Sequence, residues 1–312
     1  MRSNISEMNK YNGDHNKFDM NKSLLQLIVK ISDTKSFTKA GQELNMTQPA
    51  VSRAVTALEA ELGVTLLTRN RRLGVKLTDV GERVVQIFRK ILNEYEKINQ
   101  EIALEKGLET GIVRIGAFPV ASAYFLPKII SHIAKQYPNI EFTIFEGTNA
   151  EIKEWIELGR IDVGFIVSTN DELPTFPLLR EEMFAVLAAD HPLSKKDVIQ
   201  ASDLKHDYLI ICKSGFEPPV LEWFERSNQE PQVKYVLHNN TTALNMVKEG
   251  MGIAIMSELS LSNIPNNIVI RKLEPQGYRD IHVATLSTED ASIAVKHFIH
   301  TTLDLFPQRE SH

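Results

Sequence analysis

Hydrogen-bonding side chains that could contact a nucleic acid are concentrated between residues 47 and 62. Apolar residues recur here at the i, i+4, i+7 and i+11 positions from Val51 to Leu62, the spacing of one buried face of a helix. We expect Thr47 to cap this helix. The opposite face carries hydroxyl groups, an amide and one arginine, which can bond base edges or phosphates in a DNA major groove. The candidate DNA contacts on this helix are Thr47, Gln48, Pro49, Ser52, Arg53 and Thr56.

A shorter helix before this one and a basic segment after it complete the pattern. Ser36 can cap a helix over residues 37–44, and Ser36 and Thr38 are further candidate DNA contacts. After the longer helix, three arginines and Lys76 crowd a short segment that ends at Thr78. Such a segment predicts a hairpin, or wing, that lies against the phosphate backbone. The candidate wing contacts are Arg69, Arg71 and Arg72.

An ordinary helical hairpin with a solvated charge run would share some of these features. Three observations favour DNA binding: the polar face has short side chains, the next segment is purely basic, and a long helix follows. The run FTKAGQELNMTQPAVSRAVTALEAELGVTLLTRN, followed by KLTDVGE, resembles the winged helix-turn-helix of LysR-type transcriptional regulators. The matching motifs are A-x-x-x-L, T-Q-P-A-V-S, L-E-x-x-L-G-V-x-L-x-x-R and L-T-x-x-G. The resemblance assigns the DNA-reading helix to Thr47, Gln48, Pro49, Ser52 and Arg53, and the wing to the three arginines.

Composition and charge bound the other possibilities. The 312 residues, 43% hydrophobic and 24% charged, suffice for two or three globular domains. Residues 20–80 hold nine basic and five acidic side chains, a net charge of +4. Because the net charge of the whole chain is −5, the other residues together carry −9. A basic head on an acidic body is expected when one domain touches DNA. A single cysteine, no membrane-length apolar run and no secretory signal predict a cytoplasmic protein without membrane contact.

A long helix is predicted over residues 79–106, after a DNA-binding domain over 20–78 and a disordered extension over 1–19. Its apolar residues recur in steps of four and three, as in the seam of a coiled-coil dimer. The alternative is a helix packed on its own effector domain. A homodimer would place two reading helices on an interrupted palindromic site in double-stranded DNA. The family resemblance further implies a tetramer. The seam residues are Val84, Phe88, Ile91, Tyr95, Ile98 and Ile102.

Residues 112–307 alternate strand and helix and begin with a βαβαβ order, which requires a parallel sheet. We expect two lobes, one of residues 112–181 with 281–307, the other of 182–280. The motifs at Ile161–Gly164, His191–Leu193 and Val247–Ile255 resemble the effector domain of the same family, whose fold is like that of periplasmic binding proteins. The fold class is therefore α+β multidomain: a winged helix-turn-helix, a long linker helix and a two-lobed α/β effector domain.

A small-molecule effector would lie between the lobes, beyond the carboxyl ends of the strands. Simple helix capping is the alternative for each serine and threonine there. The family often places a hydroxyl directly after the first strand, where this chain has Phe-Pro-Val. This departure favours a more apolar effector, or a polar anchor on another segment. The candidate effector contacts are Phe118, Pro119, Val120, Ser122, Ser168, Thr169, Asn240 and Thr241.

Other chemistry finds little support in the sequence. Cys212 ends an apolar run, so burial is favoured over a redox sensor. No catalytic set, metal site or cofactor is predicted. The favoured hypothesis is a sequence-specific DNA-binding transcriptional regulator of LysR type, controlled by a small-molecule effector and not an enzyme. The alternative is a cytoplasmic α/β solute-binding protein or enzyme with an incidental helical N-terminal domain.

Overall fold

The computed structural model describes residues 21–70, 74–106, 109–167, 173–213, 215–261 and 264–307, with the backbone alone at residues 69 and 70. The chain forms two compact units, one ending at Tyr95 and the other beginning at Glu96. No helix in the described ranges is long and apolar enough to cross a membrane. The segment predicted to be disordered, residues 1–19, lies outside the described residues.

The first unit contains three helices, a hairpin and the start of a long helix. Its core joins Ile28 of the first helix, Leu58 of the third and Phe88 of the long helix. The apolar face predicted for the third helix is confirmed, since Val51, Val55 and Leu58 are all buried. The elements are α1 Lys22–Thr34, α2 Phe37–Glu43, α3 Gln48–Leu62, β1 Leu67–Asn70, β2 Gly74–Leu77 and α4 Asp79–Glu105.

The starts of α2 and α3 differ in how they are capped. The hydroxyl of Ser36 accepts the N–H of Lys39 at 3.3 Å, so the predicted cap of α2 is confirmed. Thr47 occupies the N-cap position of α3, as predicted, but its hydroxyl makes no capping hydrogen bond. A cap accepts from the second or third helical N–H, and Pro49 removes the first of these two donors.

Backbone groups of the hairpin are tied to the neighbouring helices. One carboxylate oxygen of Glu59 in α3 accepts the N–H groups of Leu66 and Leu67, at 2.7 and 2.9 Å. The hydroxyl of Thr78 accepts the N–H of Gly81 at 3.0 Å, at the start of α4. A Cβ atom on Gly81 would lie 2.1 Å from the carbonyl oxygen of Leu66, so only glycine fits. The motif residues of this region therefore hold the hairpin in place.

The predicted seam of α4 divides into two parts. Val84 and Ile91 pack against the core of the first unit, and Phe88 is buried in it. Phe88 is therefore unavailable to a partner, and the prediction of one continuous dimer seam is wrong at this position. Val84 and Ile91 remain half-buried. Further along, Ile98 and Ile102 are 54% and 51% exposed. The exposed apolar stripe consists of Ile87, Tyr95, Ile98 and Ile102.

The second unit is a ten-stranded sheet with helices on its faces. The strand order is β4-β3-β5-β12-β6-β10-β8-β9, and β11 pairs with β6 and β7. The predicted parallel arrangement is confirmed, because β3 runs parallel to β4 and β5. The elements are β3 Thr110–Ala117, α5 Pro119–Gln136, β4 Asn139–Glu146, α6 Asn149–Glu157, β5 Val163–Val167, β6 Thr175–Ala188, β7 Val198–Gln200, β8 Leu209–Cys212, α7 Glu217–Arg226, β9 Val233–Leu237, α8 Asn240–Lys248, β10 Ile253–Ser257, β11 Ile268–Glu274, β12 Tyr278–Thr285 and α9 Ile293–Leu305.

Strand β6 is shared by two separate cores. Its first half pairs antiparallel with β12, beside a core that includes Phe125, Phe165 and Phe298. Its second half pairs with β10 and β11, beside a core that includes Trp223 and Ile255. The sheet thus runs without interruption from one core to the other.

The sequence pattern predicts a strand over residues 183–189, whereas β6 begins eight residues earlier, at Thr175, and the pattern predicts neither β7 nor β11. Residues 175–182 contain Pro177 and three charged side chains, which hide the alternation of a strand. Strand β11 is mostly half-buried on both faces, so its sequence lacks a clear period. These elements follow from tertiary pairing more than from local pattern.

The carboxylate of Glu59 provides the first test of this architecture. We expect Glu59→Ala to lower the stability of the first unit by about 1.5–3 kcal/mol, because two hydrogen bonds to a charged acceptor are lost. Native-state hydrogen exchange of the α1 and α3 amides measures this change. Glu43→Ala is the control, since its exposed pair with Lys30 is worth about 0–1 kcal/mol. Equal exchange rates in the two variants would contradict the assigned role.

Candidate DNA-binding surface and effector cleft

The polar face of α3 is exposed along its length. Gln48, Pro49, Arg53 and Thr56 are exposed, as is Thr47 just before the helix. Ser52 is half-buried, and its carbonyl accepts the hydroxyl of Thr56 at 2.9 Å. No acidic residue lies in the first turn, so the positive end of the helix dipole is not neutralised by a carboxylate of that turn. All six predicted contacts of this helix thus lie outside the core, beside a positive helix end.

The start of α2 carries the two other predicted contacts of the first unit. Thr38 is exposed, and Ser36 is half-buried. The Ser36 oxygen accepts a backbone N–H, while its own hydroxyl proton remains a donor. A phosphate oxygen is one acceptor that this proton could serve.

The wing is an antiparallel pair of β1 and β2, with Arg69 opposite Val75. The N–H of Val75 donates to the carbonyl oxygen of Lys35 at 3.1 Å, which ties the wing to the turn between α1 and α2. Lys76 is exposed on β2. Arg71, Arg72 and the side chain of Arg69 lie outside the described residues.

The second unit brings three strand ends together near the predicted effector contacts. Phe118 follows β3 and is fully buried, and Val120 packs against both cores. A Cβ on Gly215, after β8, would lie 3.2 Å both from the Phe118 ring and from Val167 at the end of β5. Pro119 is half-buried in the first turn of α5. This meeting point of the two cores is the candidate effector cleft.

Helix capping does not account for Ser122, Asn240 and Thr241, the predicted hydroxyl and amide contacts that the structure describes. Ser122 lies inside α5, which is preceded by Phe118 and has no side-chain cap. The cap of α8 is Asn239, so Asn240 and Thr241 lie within the helix. The Asn240 amide nitrogen donates to Ser260 at 3.2 Å, while its buried oxygen has no hydrogen-bond partner among the described residues. Ser168 and Thr169 lie outside the described residues.

A buried ion pair that sequence reasoning missed joins β6 and β12. Glu181 and Arg279 face each other across these strands, and they are 2% and 0% exposed. Nε of Arg279 donates to Oε2 of Glu181 at 2.9 Å, and Nη2 donates to the same oxygen. Burial lowers the pKa of Arg279, and the charge of Glu181 opposes that change. Each residue adjoins a second charged residue in the chain, Glu182 or Asp280, and such charged neighbours are typical of solvated strand ends rather than of a buried pair.

Two other features of the second unit bear on ligand chemistry. A cavity of about 920 Å³ is lined by α5, β6 and the segment after β10, including Tyr124, Lys128 and Leu259, but none of the predicted effector contacts lines it. Cys212 is buried, and burial raises the pKa of its thiol to about 12. A thiol in this state is not a reactive thiolate at neutral pH.

Comparison with known proteins places both units in one family. Residues 23–82 match the model of the bacterial regulatory helix-turn-helix protein, lysR family, and residues 106–307 match the LysR substrate binding domain. The uncharacterized HTH-type transcriptional regulator YvbU of Bacillus subtilis is 44% identical over 284 residues, covering 90% of this chain and 97% of YvbU.

Solved structures agree at the level of the fold. A full-length OxyR variant from Pseudomonas aeruginosa gives a TM-score of 0.70 at 24% identity, covering 91% of this chain and 95% of OxyR. Full-length CbnR, solved in complex with its target DNA, gives 0.61 at 18% identity, covering 91% of this chain and 99% of CbnR. The helix-turn-helix unit, the substrate-binding unit and the relationship to YvbU lead to one conclusion: the chain belongs to the LysR family of transcriptional regulators.

Proposed function

We propose that α3 reads bases in the major groove of a promoter, and that the wing contacts the flanking phosphates. The observation that carries this proposal is the division of α3 into a buried apolar face and an exposed face of short polar side chains with Arg53. Side chains of this length reach base edges when the helix lies in the groove. The proposed contacts are Ser36, Thr38, Thr47, Gln48, Pro49, Ser52, Arg53, Thr56, Arg69, Arg71 and Arg72.

The proposed domain division assigns one apolar core to the DNA-binding domain and two to the effector domain, and the first of these cores also takes in Val85 and Phe88 of the linker helix. Residues 20–78 bind DNA, 79–106 link the domains, and 112–307 bind the effector. Within the last domain, 112–181 with 281–307 form one lobe and 182–280 the other. A protein with this division acts on chromosomal DNA, and we therefore place it in the cytoplasm.

We further propose that two copies associate through the exposed apolar stripe of α4. Its four large side chains lie within one arc of the helix surface and are 43% to 54% exposed, which is unfavourable in a monomer. Burying this stripe against a second copy would pair two reading helices for two half-sites of an interrupted palindrome. Assembly of two such dimers into a tetramer would follow the family pattern.

Control by a small molecule is proposed at the candidate effector cleft. A ligand that touches both cores shifts the protein toward the lobe arrangement it binds better. Because the effector domain is joined to α4, this shift would change how the oligomer holds its two half-sites. The proposed contacts are Phe118, Pro119, Val120, Ser122, Ser168, Thr169, Asn240 and Thr241.

The test of this proposal is DNA protection by the full chain, upstream of its own gene and of the divergent neighbouring gene, over a salt series. We expect a protected, interrupted palindrome and an affinity that falls steeply with salt. Weak binding without any protected site, at all salt concentrations, would point first to another target site or to a required effector, and next to the solute-binding or enzyme alternative.

Gln48 tests base reading by α3. We expect Gln48→Ala to lose about 1–3 kcal/mol of binding to the specific site and little on random DNA, because a base contact is removed. Competition binding measures the ratio of the two affinities. Gln42→Ala, an exposed glutamine of α2, is the matched control and should leave the ratio unchanged. Equal weakening on both DNAs would remove Gln48 from base reading.

Arg71 tests the phosphate contacts of the wing. We expect Arg71→Ala to weaken binding to all sequences and to make the slope of log affinity against log salt shallower by about 1. Lys128→Ala, an exposed lysine of the second unit, should retain the original slope. An unaltered slope for Arg71→Ala would contradict the assignment.

Ile98 tests the dimer seam. A buried carboxylate at this position would lack a partner, so we expect Ile98→Asp to give monomers in light scattering. Asn99→Asp introduces the same side chain at the next exposed position and should leave the mass unchanged. A dimer mass for Ile98→Asp would move the interface to another surface.

A further inference from the structure

The buried guanidinium of Arg279 is only partly satisfied. A single oxygen of Glu181, Oε2, accepts from both Nε and Nη2, and the other oxygen accepts the N–H of Leu259 at 2.9 Å. Nη1 is buried and has no hydrogen-bond partner among the described residues. A charged donor left unpaired in a protein interior is costly, so such a group calls for a functional explanation.

The surroundings of the guanidinium connect it to both cores. Its central carbon lies 4.2 Å from the centre of the Phe216 ring and 5.3 Å from that of Phe118. Within the second unit, Phe118 belongs to the core that includes Phe125, and Phe216 belongs to the core that includes Trp223. Arg279 therefore lies at the candidate effector cleft, although it comes from a strand that the sequence did not link to this site.

The same place holds the amino end of a long helix. Phe118 is the residue before α5, whose 18 residues begin with Pro119 and have no side-chain cap and no acidic residue in the first turn. The next two N–H groups, of Val120 and Ala121, have no acceptor within the helix. The charge of Arg279 is compensated by Glu181, but its Nη1 is a charge-assisted donor without a partner among the described residues. This donor and the dipole of α5 both favour an acceptor that carries negative charge.

We propose that the effector carries a carboxylate, and that Nη1 of Arg279 donates to it beside the amino end of α5. This inference rests on the proposed control by an effector in the cleft, and adds its chemical class and its anchor. This proposal also explains why the chain has Phe-Pro-Val directly after β3, where a hydroxyl is usual in the family. The polar anchor, Arg279, is on β12, and the residues after β3 supply the Phe118 ring and the free N–H groups of the first turn of α5.

Glu181 has a distinct role in this arrangement. It holds Nε and Nη2, which orients the guanidinium so that Nη1 is left for a ligand. In the absence of ligand it also compensates a charge that is 0% exposed. Glu181 is therefore a positioning residue, and Arg279 is the one that contacts the carboxylate.

The test compares the full chain with the double variant E181Q/R279M, in which the buried pair becomes neutral and Leu259 retains an acceptor. The neighbouring cross-strand pair offers a matched control, R180M/D280N, because Arg180 and Asp280 are paired at 3.7 Å but are 55% and 42% exposed. The probes are succinate, hexanoate and phenylacetate, each beside its uncharged amide. The readout is the melting temperature of each protein as a function of probe concentration.

We expect at least one acid, and not its amide, to raise the melting temperature of the original chain and of the control. In E181Q/R279M the apparent affinity for that acid should fall about 10- to 100-fold, as for loss of a hydrogen bond to a charged group. Should the double variant not fold, Arg279→Lys retains the charge without the planar fork, and should show a weaker form of the same loss.

Three outcomes would overturn the proposal: an amide as effective as its acid, an acid whose effect survives in E181Q/R279M, or no response to any of the acids. The first two would leave the proposed effector control intact while removing this anchor. The DNA protection assay, carried out on the same protein without probe, separately tests the regulator function itself.

Discussion

The antiparallel pairing of β6 with β12 is the constraint on which the second unit depends. Strand β6 runs through 14 residues, so one continuous backbone supports two cores. At the junction a buried glutamate and arginine face each other, and breaking such a pair costs far more than the pair contributes. The register between the two strands is therefore fixed where the cores meet.

The first unit separates residues that hold the scaffold from residues that are exposed to solvent. Glu59, Thr78 and Gly81 are occupied with backbone groups of the hairpin and of α4. The polar face of α3 lies outside the core, with Gln48, Arg53 and Thr56 exposed. The helix-turn-helix motif of this chain contains both scaffold residues and exposed polar residues. The motif therefore identifies the fold, and the burial of each residue then shows which of them are accessible to DNA.

The sequence predicted the parts of this structure that follow from local periodicity. The buried face of α3, the cap at Ser36 and the parallel order of β3, β4 and β5 all follow from spacing and chemistry within a few residues. The failures concern long-range packing. The spacing of Phe88 indicates a member of a heptad seam, yet the core of its own unit covers it. The charged neighbours of Arg279 in the sequence indicate a solvated residue. The buried partner that overrules this pattern, Glu181, lies 98 positions away in the chain and cannot be seen in the local sequence.

That long-range pair also links ligand chemistry to lobe arrangement. The guanidinium is held by β6, yet its face is covered by one ring from each core. Any relative movement of the cores changes how these rings cover Nη1, and hence how much water or ligand reaches it. On the proposed mechanism, a ligand that brings no charge to this site gains little from such a movement, whereas a carboxylate gains a charge-assisted hydrogen bond in the arrangement that leaves Nη1 accessible. Such a difference in affinity is what a ligand needs in order to shift a conformational equilibrium.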